Sequence, residues 1–327
     1  MKTYNWAILA PGTIAHRFTK GLAITPNAIP YAVGSRDLNR AQAFANEYGY
    51  IKAYGSYEEL AQDPNIDIIY VATPHPFHEE AAILCLQHGK PVLCEKPFAV
   101  NAKQASRMIE CARAKNTFLM EAMWTRFLPA VRKAMELITS GAIGAIRHII
   151  ADFGFRAEFD PASRLFSPDM AGGSLLDVGI YNLAFSSMIY GRQPDRIQSY
   201  MDIGSTGVDE TTAALLSYDK GQSAQLFSSI RLNTAHEAVI YGEAGHIRLP
   251  SYWCAKTVLL HNKNGLQEIN LPCETEGFQF EAIEVMACLE KGMKESPIMP
   301  LDETLGIMQT MDKIRFDNNL FYPFELM

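Results

Sequence analysis

No apolar run in this 327-residue chain is long enough to span a bilayer. The N-terminal Met1-Lys2-Thr3-Tyr4-Asn5-Trp6 lacks the apolar stretch and cleavage site of a signal peptide and passes straight into a strand pattern. A cytoplasmic protein with no membrane partner is therefore expected. Cysteine is sparse: Cys85, Cys94, Cys111, Cys254, Cys273 and Cys288 are scattered, and no Cys-x-x-Cys pair occurs. That argues against structural zinc and fits buried thiols in a reducing compartment. Positive charge is also in deficit. The net charge is −7, and no basic stripe or aromatic-basic interleaving is present, so nucleic acid is not an expected partner. A phosphate-bearing ligand would have to find local arginines or a helix N-terminus. Internal repeats and low-complexity linkers are missing as well.

What the chain does have is apolar content, 48% hydrophobic against 20% charged residues, enough for a sizeable core. Its length favours two domains. Over residues 1–121 strand and helix patterns alternate, which predicts a parallel sheet covered on both faces. Strands are expected over 4–10, 29–34, 66–73, 91–94 and 117–121. Helices carry Ile14, Phe18 and Leu22; Ala41, Phe44, Ala45 and Tyr48; and Ala82, Cys85 and Leu86. A further helix covers 101–115, and Ser56-Tyr57-Glu58-Glu59 reads as a capping-box start. Residues 122–327 read differently. Helices over 129–140, 176–190, 280–291 and 301–317 accompany strands over 143–153, 197–201, 211–218, 224–230, 238–241, 258–261 and 267–271. Asn262-Lys263-Asn264-Gly265 is a hairpin signal. The fold class is α/β: a doubly wound parallel sheet, then an α+β domain with a large, mostly antiparallel open sheet.

Chemistry gathers at the expected strand ends, where open parallel sheets bind ligands. After the first strand, Ala10-Pro11-Gly12-Thr13-Ile14-Ala15 resembles the Gly-x-Gly-x-x-Gly/Ala dinucleotide fingerprint, with alanine replacing the first glycine. Gly12, Thr13 and Ile14 are the expected pyrophosphate contacts; an ordinary strand-to-helix turn is the alternative. The second strand ends in Gly34-Ser35-Arg36-Asp37. Arg40 lies four residues beyond Arg36, on the same face of a helix starting there. Two guanidinium groups suit a 2′-phosphate, so NADP is expected over NAD, with Ser35, Arg36 and Arg40 as contacts. Asp37 could still turn inward toward the ribose. Thr73, His75 and His78, after the central strand, are expected to line the nicotinamide pocket. A metal reading of the two histidines lacks further ligands to complete it.

Glu95-Lys96-Pro97 puts a carboxylate, an ammonium and a turn-forming proline at another strand end. Partial desolvation would ease removal of the lysine proton. A surface ion pair beside a turn is the plain alternative. A cis Lys96-Pro97 bond would suit that turn. In the second half, Gly172-Gly173 precede Asp177 and Tyr181, which stand four apart on one helical face. The glycine pair would permit close approach of a nicotinamide ring or a substrate. A phenol near an ammonium can pass a proton to or from a substrate alcohol. A core tyrosine satisfied by an aspartate is the competing reading. Trp124, Arg126 and Phe153 are candidate substrate contacts, Trp124 and Arg126 facing the cleft between domains. Interdomain packing would serve those two equally.

Taken in order, these motifs resemble the Gfo/Idh/MocA family of NAD(P)-dependent oxidoreductases. The carrying segments are Ala53 to Leu60, Val92 to Pro97, Phe118 to Ala122, Trp124 to Phe127, Gly172 to Tyr181 and Lys291 to Pro297. They are most similar to the branch of dimeric dihydrodiol dehydrogenases that also act as NADP-dependent D-xylose dehydrogenases. Many members carry histidine where Tyr181 stands; tyrosine there fits this branch. The resemblance implies Lys96 and Tyr181 as the proton-transfer pair, supported by Asp177. It also implies Glu95 and Lys96 beside the cofactor and a homo-oligomer formed by second-domain sheets packing face to face. The expected function is hydride transfer between NADP and a secondary alcohol or sugar, with no metal. An NADP(H)-sensing regulator and a redox-neutral sugar-modifying enzyme on the same fold are the alternatives.

Overall fold

The structure, a computed structural model, describes residues 2–325. The chain forms two compact units. One comprises the residues up to Trp124 together with Glu274–Leu305; the other comprises Thr125–Cys273 and the chain from Gly306 onward.

The first unit runs β1 (Tyr4–Leu9), α1 (Thr13–Leu22), β2 (Ala28–Gly34), α2 (Leu38–Tyr48), β3 (Lys52–Tyr54), α3 (Tyr57–Gln62), β4 (Ile68–Val71), α4 (His78–Gln87), β5 (Val92–Glu95), α5 (Ala102–Ala114) and β6 (Leu119–Ala122). Its six strands lie in the order β3-β2-β1-β4-β5-β6, with every neighbouring pair parallel. The order reverses between β1 and β4, which opens a crevice at their carboxyl ends. Strand β4 is buried throughout, as its unbroken Ile-Ile-Tyr-Val run requires of a central strand. On one face Phe18 of α1 stacks on Tyr70, ring centroids 3.8 Å apart. Ser56 caps α3, accepting from Glu59 N at 3.1 Å, as the capping-box pattern predicts.

In the second unit come α6 (Pro129–Thr139), β7 (Ile146–Gly154), a π-helical turn over Leu175–Gly179, and α7 (Ile180–Tyr190). Then follow β8 (Arg196–Ile203), β9 (Asp209–Ser217), β10 (Ser223–Ser229), β11 (Ala238–Gly242), β12 (Gly245–Leu249), β13 (Thr257–Asn262) and β14 (Gly265–Asn270). The sheet order is β14-β13-β12-β11-β7-β10-β9-β8. All neighbours are antiparallel except β7 and β10. Strands β13 and β14 meet at the expected Asn-Lys-Asn-Gly hairpin. Helix α7 packs on β7 and β10 and is buried along most of its length. The opposite face is open. Tyr200, Ala213 and Phe227 share it by register, and Tyr200, Leu215 and Tyr241 are exposed there.

Helices α8 (Gln279–Glu290) and α9 (Leu301–Asp317) follow. Two details depart from the sequence pattern. Strands β3 (Lys52–Tyr54) and β12 (Gly245–Leu249) were not expected, and β3, at 3 residues, is too short to give a periodic signal. The helix expected over 176–190 begins as a π-turn rather than an α-helix. The one parallel pair, β7 with β10, leaves the sheet of the second unit mostly antiparallel, as expected.

Candidate active site

The first unit gathers its candidate residues at the carboxyl ends of β1, β2, β4 and β5. Ala10 leaves β1 with φ +72°, the left-handed conformation that the missing first glycine would adopt freely. Its N–H donates to Gly34 O at 2.9 Å, tying the loop to β2. Gly12 is the N-cap of α1; no side chain caps the helix, and no acidic residue lies in its first turn. The free N–H groups of that turn suit an anion. A Cβ added to Gly12 would meet only Ala72 O, at 3.9 Å. The protein itself therefore does not require glycine here, and the open space is what a pyrophosphate would use. Thr73, after β4, is buried with its hydroxyl unpartnered. An orphaned donor at the crevice fits a polar ligand.

Past β2, Ser35 is buried and its Oγ accepts from Asp37 N at 3.2 Å. Asp37 caps α2 by accepting from Asn39 N at 2.9 Å. The carboxylate is thus engaged by its own helix. Arg36 lies over the Phe77 ring at 5.9 Å. Burial pushes the Tyr57 hydroxyl upward, while the Arg36 and Arg40 charges pull it down. Arg36, Arg40 and Tyr57 therefore form one cationic corner. Tyr57 escaped the sequence reading because its place behind the capping serine marks only a helix start.

His78 is fully buried. Its Nδ1 lies 2.9 Å from Pro97 O and its Nε2 2.7 Å from Thr73 O. Two carbonyls call for two N–H donors, which only the charged ring has. Burial outweighs them and pushes the ring down to about 4, so it is neutral. His78 thereby joins the β4 loop to the Lys96-Pro97 turn, where the peptide bond is cis. His75 is also buried, its ring 5.9 Å from that of His78. Glu95 accepts from the Tyr70 hydroxyl and, at 3.1 Å, from Lys96 N. Burial raises its carboxyl, and the Lys96 charge offsets part of that. Glu281, on α8, is fully buried with neither oxygen partnered. Burial first, then the charge of Glu95, hold it well above the usual carboxylate range. Sequence reasoning missed Glu281 because a lone glutamate in a helix carries no signal of burial. Trp124 is buried against Phe278, ring centroids 4.5 Å apart.

In the second unit an aromatic wall surrounds Phe153. Its ring lies 5.3 Å from Tyr181, 4.9 Å from His236 and 5.0 Å from Trp253, the last stacked at 14°. Trp253 Nε1 donates to His236 Nδ1 at 3.3 Å, and His236 Nε2 faces Gly154 O at 2.6 Å. Together these specify the neutral tautomer protonated on Nε2. Trp253 and His236 were not legible as site residues, since Trp253 sits in a short 3-10 turn and His236 in a loop, neither within a motif. Asp177 sits in the π-turn, buried, and accepts from Arg164 Nη1 at 2.9 Å; Arg164 is half exposed. Arg126 is buried and donates through Nη2 to Ala184 O at 2.9 Å. The glycine pair serves a different purpose from the one its sequence suggests. A Cβ on Gly172 would collide with the carbonyls of Arg164 and Leu165, and one on Gly173 with Asp209. The close approach is made by the chain itself.

Among the described residues, no three His, Cys, Asp or Glu side chains converge in a way that could hold a metal ion. No helix among them is long and apolar enough to cross a membrane.

Residues 4–123 match the Gfo/Idh/MocA oxidoreductase family, NAD-binding Rossmann fold, and residues 131–248 match the Gfo/Idh/MocA C-terminal domain. The trans-1,2-dihydrobenzene-1,2-diol dehydrogenase of Mus musculus is 40% identical over 98% of this chain and 98% of its own. Two solved structures share the fold. One is a 3-ketoreductase from Actinomadura kijaniata in complex with NADP and TDP-benzene, with TM-score 0.85, 22% identity and coverage of 96% of this chain and 98% of that one. The other is a levoglucosan dehydrogenase in complex with NADH and L-sorbose, with TM-score 0.89, 18% identity and coverage of 98% and 97%. The chain belongs to the Gfo/Idh/MocA family of oxidoreductases, and it is a nicotinamide-dependent dehydrogenase acting on CH–OH groups.

Proposed function

We propose that the protein transfers hydride between NADP(H) and the CH–OH carbon of a small diol or sugar, a trans-dihydrodiol or an aldose such as D-xylose. The observation that carries the cofactor choice is the β2 end: Arg36 and Arg40 share a corner while Asp37 is held as a helix cap. Guanidinium groups match a 2′-phosphate, and a carboxylate turned to its own helix leaves the ribose hydroxyls without their usual acceptor. The substrate class is supported by the 40% identical mouse diol dehydrogenase. It is also supported by the flat wall of Phe153 and Trp253, on which a diene ring or a sugar face can lie.

Bound nicotinamide supplies the hydride acceptor or donor. Gly12, Thr13 and Ile14 bind the pyrophosphate, with Thr73 and His75 along the nicotinamide and Glu95 beside it. Tyr181 takes the hydroxyl proton as the alcohol is oxidised. The Lys96 ammonium favours the phenolate and polarises the substrate oxygen, with Asp177 in support. Trp124 and Arg126 complete the substrate contacts. Copies of the chain pair through the open face of the eight-stranded sheet, where Tyr200 and Leu215 are exposed. Six free thiols suit a reducing compartment, the cytoplasm.

Lys96→Met and Tyr181→Phe test the reading. Each should lower kcat by about two to four orders of magnitude while NADPH binding stays nearly intact. Turnover close to wild type in both would refute the proton-transfer pair. Failure of both diols and aldoses to reduce NADP to NADPH would refute the substrate class.

A further inference from the structure

Asp209 opens β9 and is fully buried. One of its oxygens, Oδ2, accepts three hydrogen bonds, each 2.7 Å long: from Ser174 Oγ, from Leu175 N and from Thr212 Oγ1. The other, Oδ1, has no partner and rests against Gly173, which adopts φ +113°. Ser174 stands at the N-cap of the π-turn and Leu175 is its first residue, and no side chain of the turn's own caps it. Strand β10 lies close against both ends of the turn. Ser228 Oγ lies 3.2 Å from Ser174 Oγ and would stand 2.9 Å from a Cβ on Gly179. Before the turn, the Tyr322 hydroxyl donates to Gly172 O at 2.8 Å. A single carboxylate oxygen thus holds the entry of the turn that contains Asp177 and leads directly into Tyr181.

We propose that Asp209 is a positioning residue for the reaction: through Ser174 and Leu175 it sets the pose of the π-turn, and so of Asp177 and Tyr181, at the substrate. This rests on Tyr181 being the proton-transfer group. A purely structural anchor would not need this chemistry. An asparagine could receive the same three donors, whereas a buried carboxylate with one bare oxygen carries a desolvation cost that its three hydrogen bonds offset only in part. The charge contributes something an amide lacks. It strengthens all three bonds at the turn and fixes the turn to a tolerance that proton transfer requires and folding does not. π-turns of this kind concentrate at functional sites because their extra residue re-aims the side chains that follow.

The test is Asp209→Asn, alone and combined with Tyr181→Phe, assayed with the diol or aldose that turns over. The single variant should fold, judged by circular dichroism and one melting transition, and should bind NADPH within about twofold of wild type. Its kcat should fall about tenfold or more, with a smaller change in KM, as expected for a misplaced catalytic group. Added to Tyr181→Phe, it should lower kcat by less than about twofold, because residues that act through one another are not additive. Wild-type kcat in folded Asp209→Asn would overturn the proposal, as would equal losses on both backgrounds. If Tyr181→Phe collapses kcat and Asp209→Asn does not, only the positioning role falls. If Tyr181→Phe turns over normally, the proton-transfer reading falls and takes this role with it. Should Asp209→Asn fail to fold, Ser174→Ala and Thr212→Val each remove one donor and are held to the same outcomes.

Discussion

The carboxylate of Asp37 receives the backbone N–H of Asn39 at 2.9 Å, so the acid at the end of β2 faces its own helix. The sequence leaves open an acid turned inward toward the ribose; this bond supports the proposed reading of a 2′-phosphate by Arg36 and Arg40. Arg36→Ala should then raise KM for NADP(H) about ten- to a hundredfold, the loss of one charge-assisted contact, and leave KM for NAD(H) nearly unchanged. Steady-state kinetics with both cofactors decides it. Equal changes for the two would show that Arg36 does not read the phosphate.

Gly12 and Gly173 both sit in candidate site loops, yet substitution should separate them. Gly12 has an ordinary negative φ of −93°, and a Cβ there meets nothing closer than 3.9 Å. Gly12→Ala should melt within about 2 °C of wild type while NADPH affinity falls at least tenfold, because the methyl occupies space a pyrophosphate needs. Gly173→Ala meets Asp209 and a left-handed backbone together. It should destabilise the protein by about 3 kcal/mol or more and reduce soluble yield. Calorimetry on both variants checks the contrast.

Much of this was legible in the chain, for physical reasons that differ by element. β4 could be read because a strand buried on both faces is apolar at every position. The Asn262–Gly265 turn could be read because only certain residues make it. Helix α9 was read over 301–317, whereas β3, at 3 residues, is too short to show a period. The Lys96 turn and the Asp177–Tyr181 turn announce themselves by residue type. What stayed hidden was tertiary in origin. Glu281 and Asp209 look like surface acids until burial is known. Trp253 and His236 join Phe153 only once β7 and the loops near it are assembled. The glycine pair misled in an instructive way: glycine signals close approach but does not say whether ligand or chain approaches.

Ala10 offers a simpler case. Its φ of +72° costs an alanine about 1 kcal/mol that glycine does not pay. Ala10→Gly should raise Tm by roughly 2–4 °C, since the relieved backbone outweighs the added freedom of the unfolded chain. Restoring the first glycine of the fingerprint should not weaken NADPH binding. A fall in Tm would mean that the loop relaxes to another conformation in solution.

The last prediction concerns pH, through Asp209. Burial pushes its carboxyl up to about 6, against the opposing pull of Ser174, Thr212 and Leu175 N–H. A folded-state value above the unfolded one means that the native state holds the proton more tightly. Asp209 therefore contributes stability that is fully present below about pH 4 and is lost as pH rises through about 6. Asp209→Asn is neutral at every pH and lacks this term. Wild-type stability minus variant stability should accordingly be greatest near pH 4 and shrink toward pH 8, by roughly 3 kcal/mol in all. Urea unfolding of the cofactor-free proteins across that range measures it, and taking the difference removes titrations common to both. A gap that stays constant with pH would show that Asp209 keeps its charge in the folded state as readily as in the unfolded one.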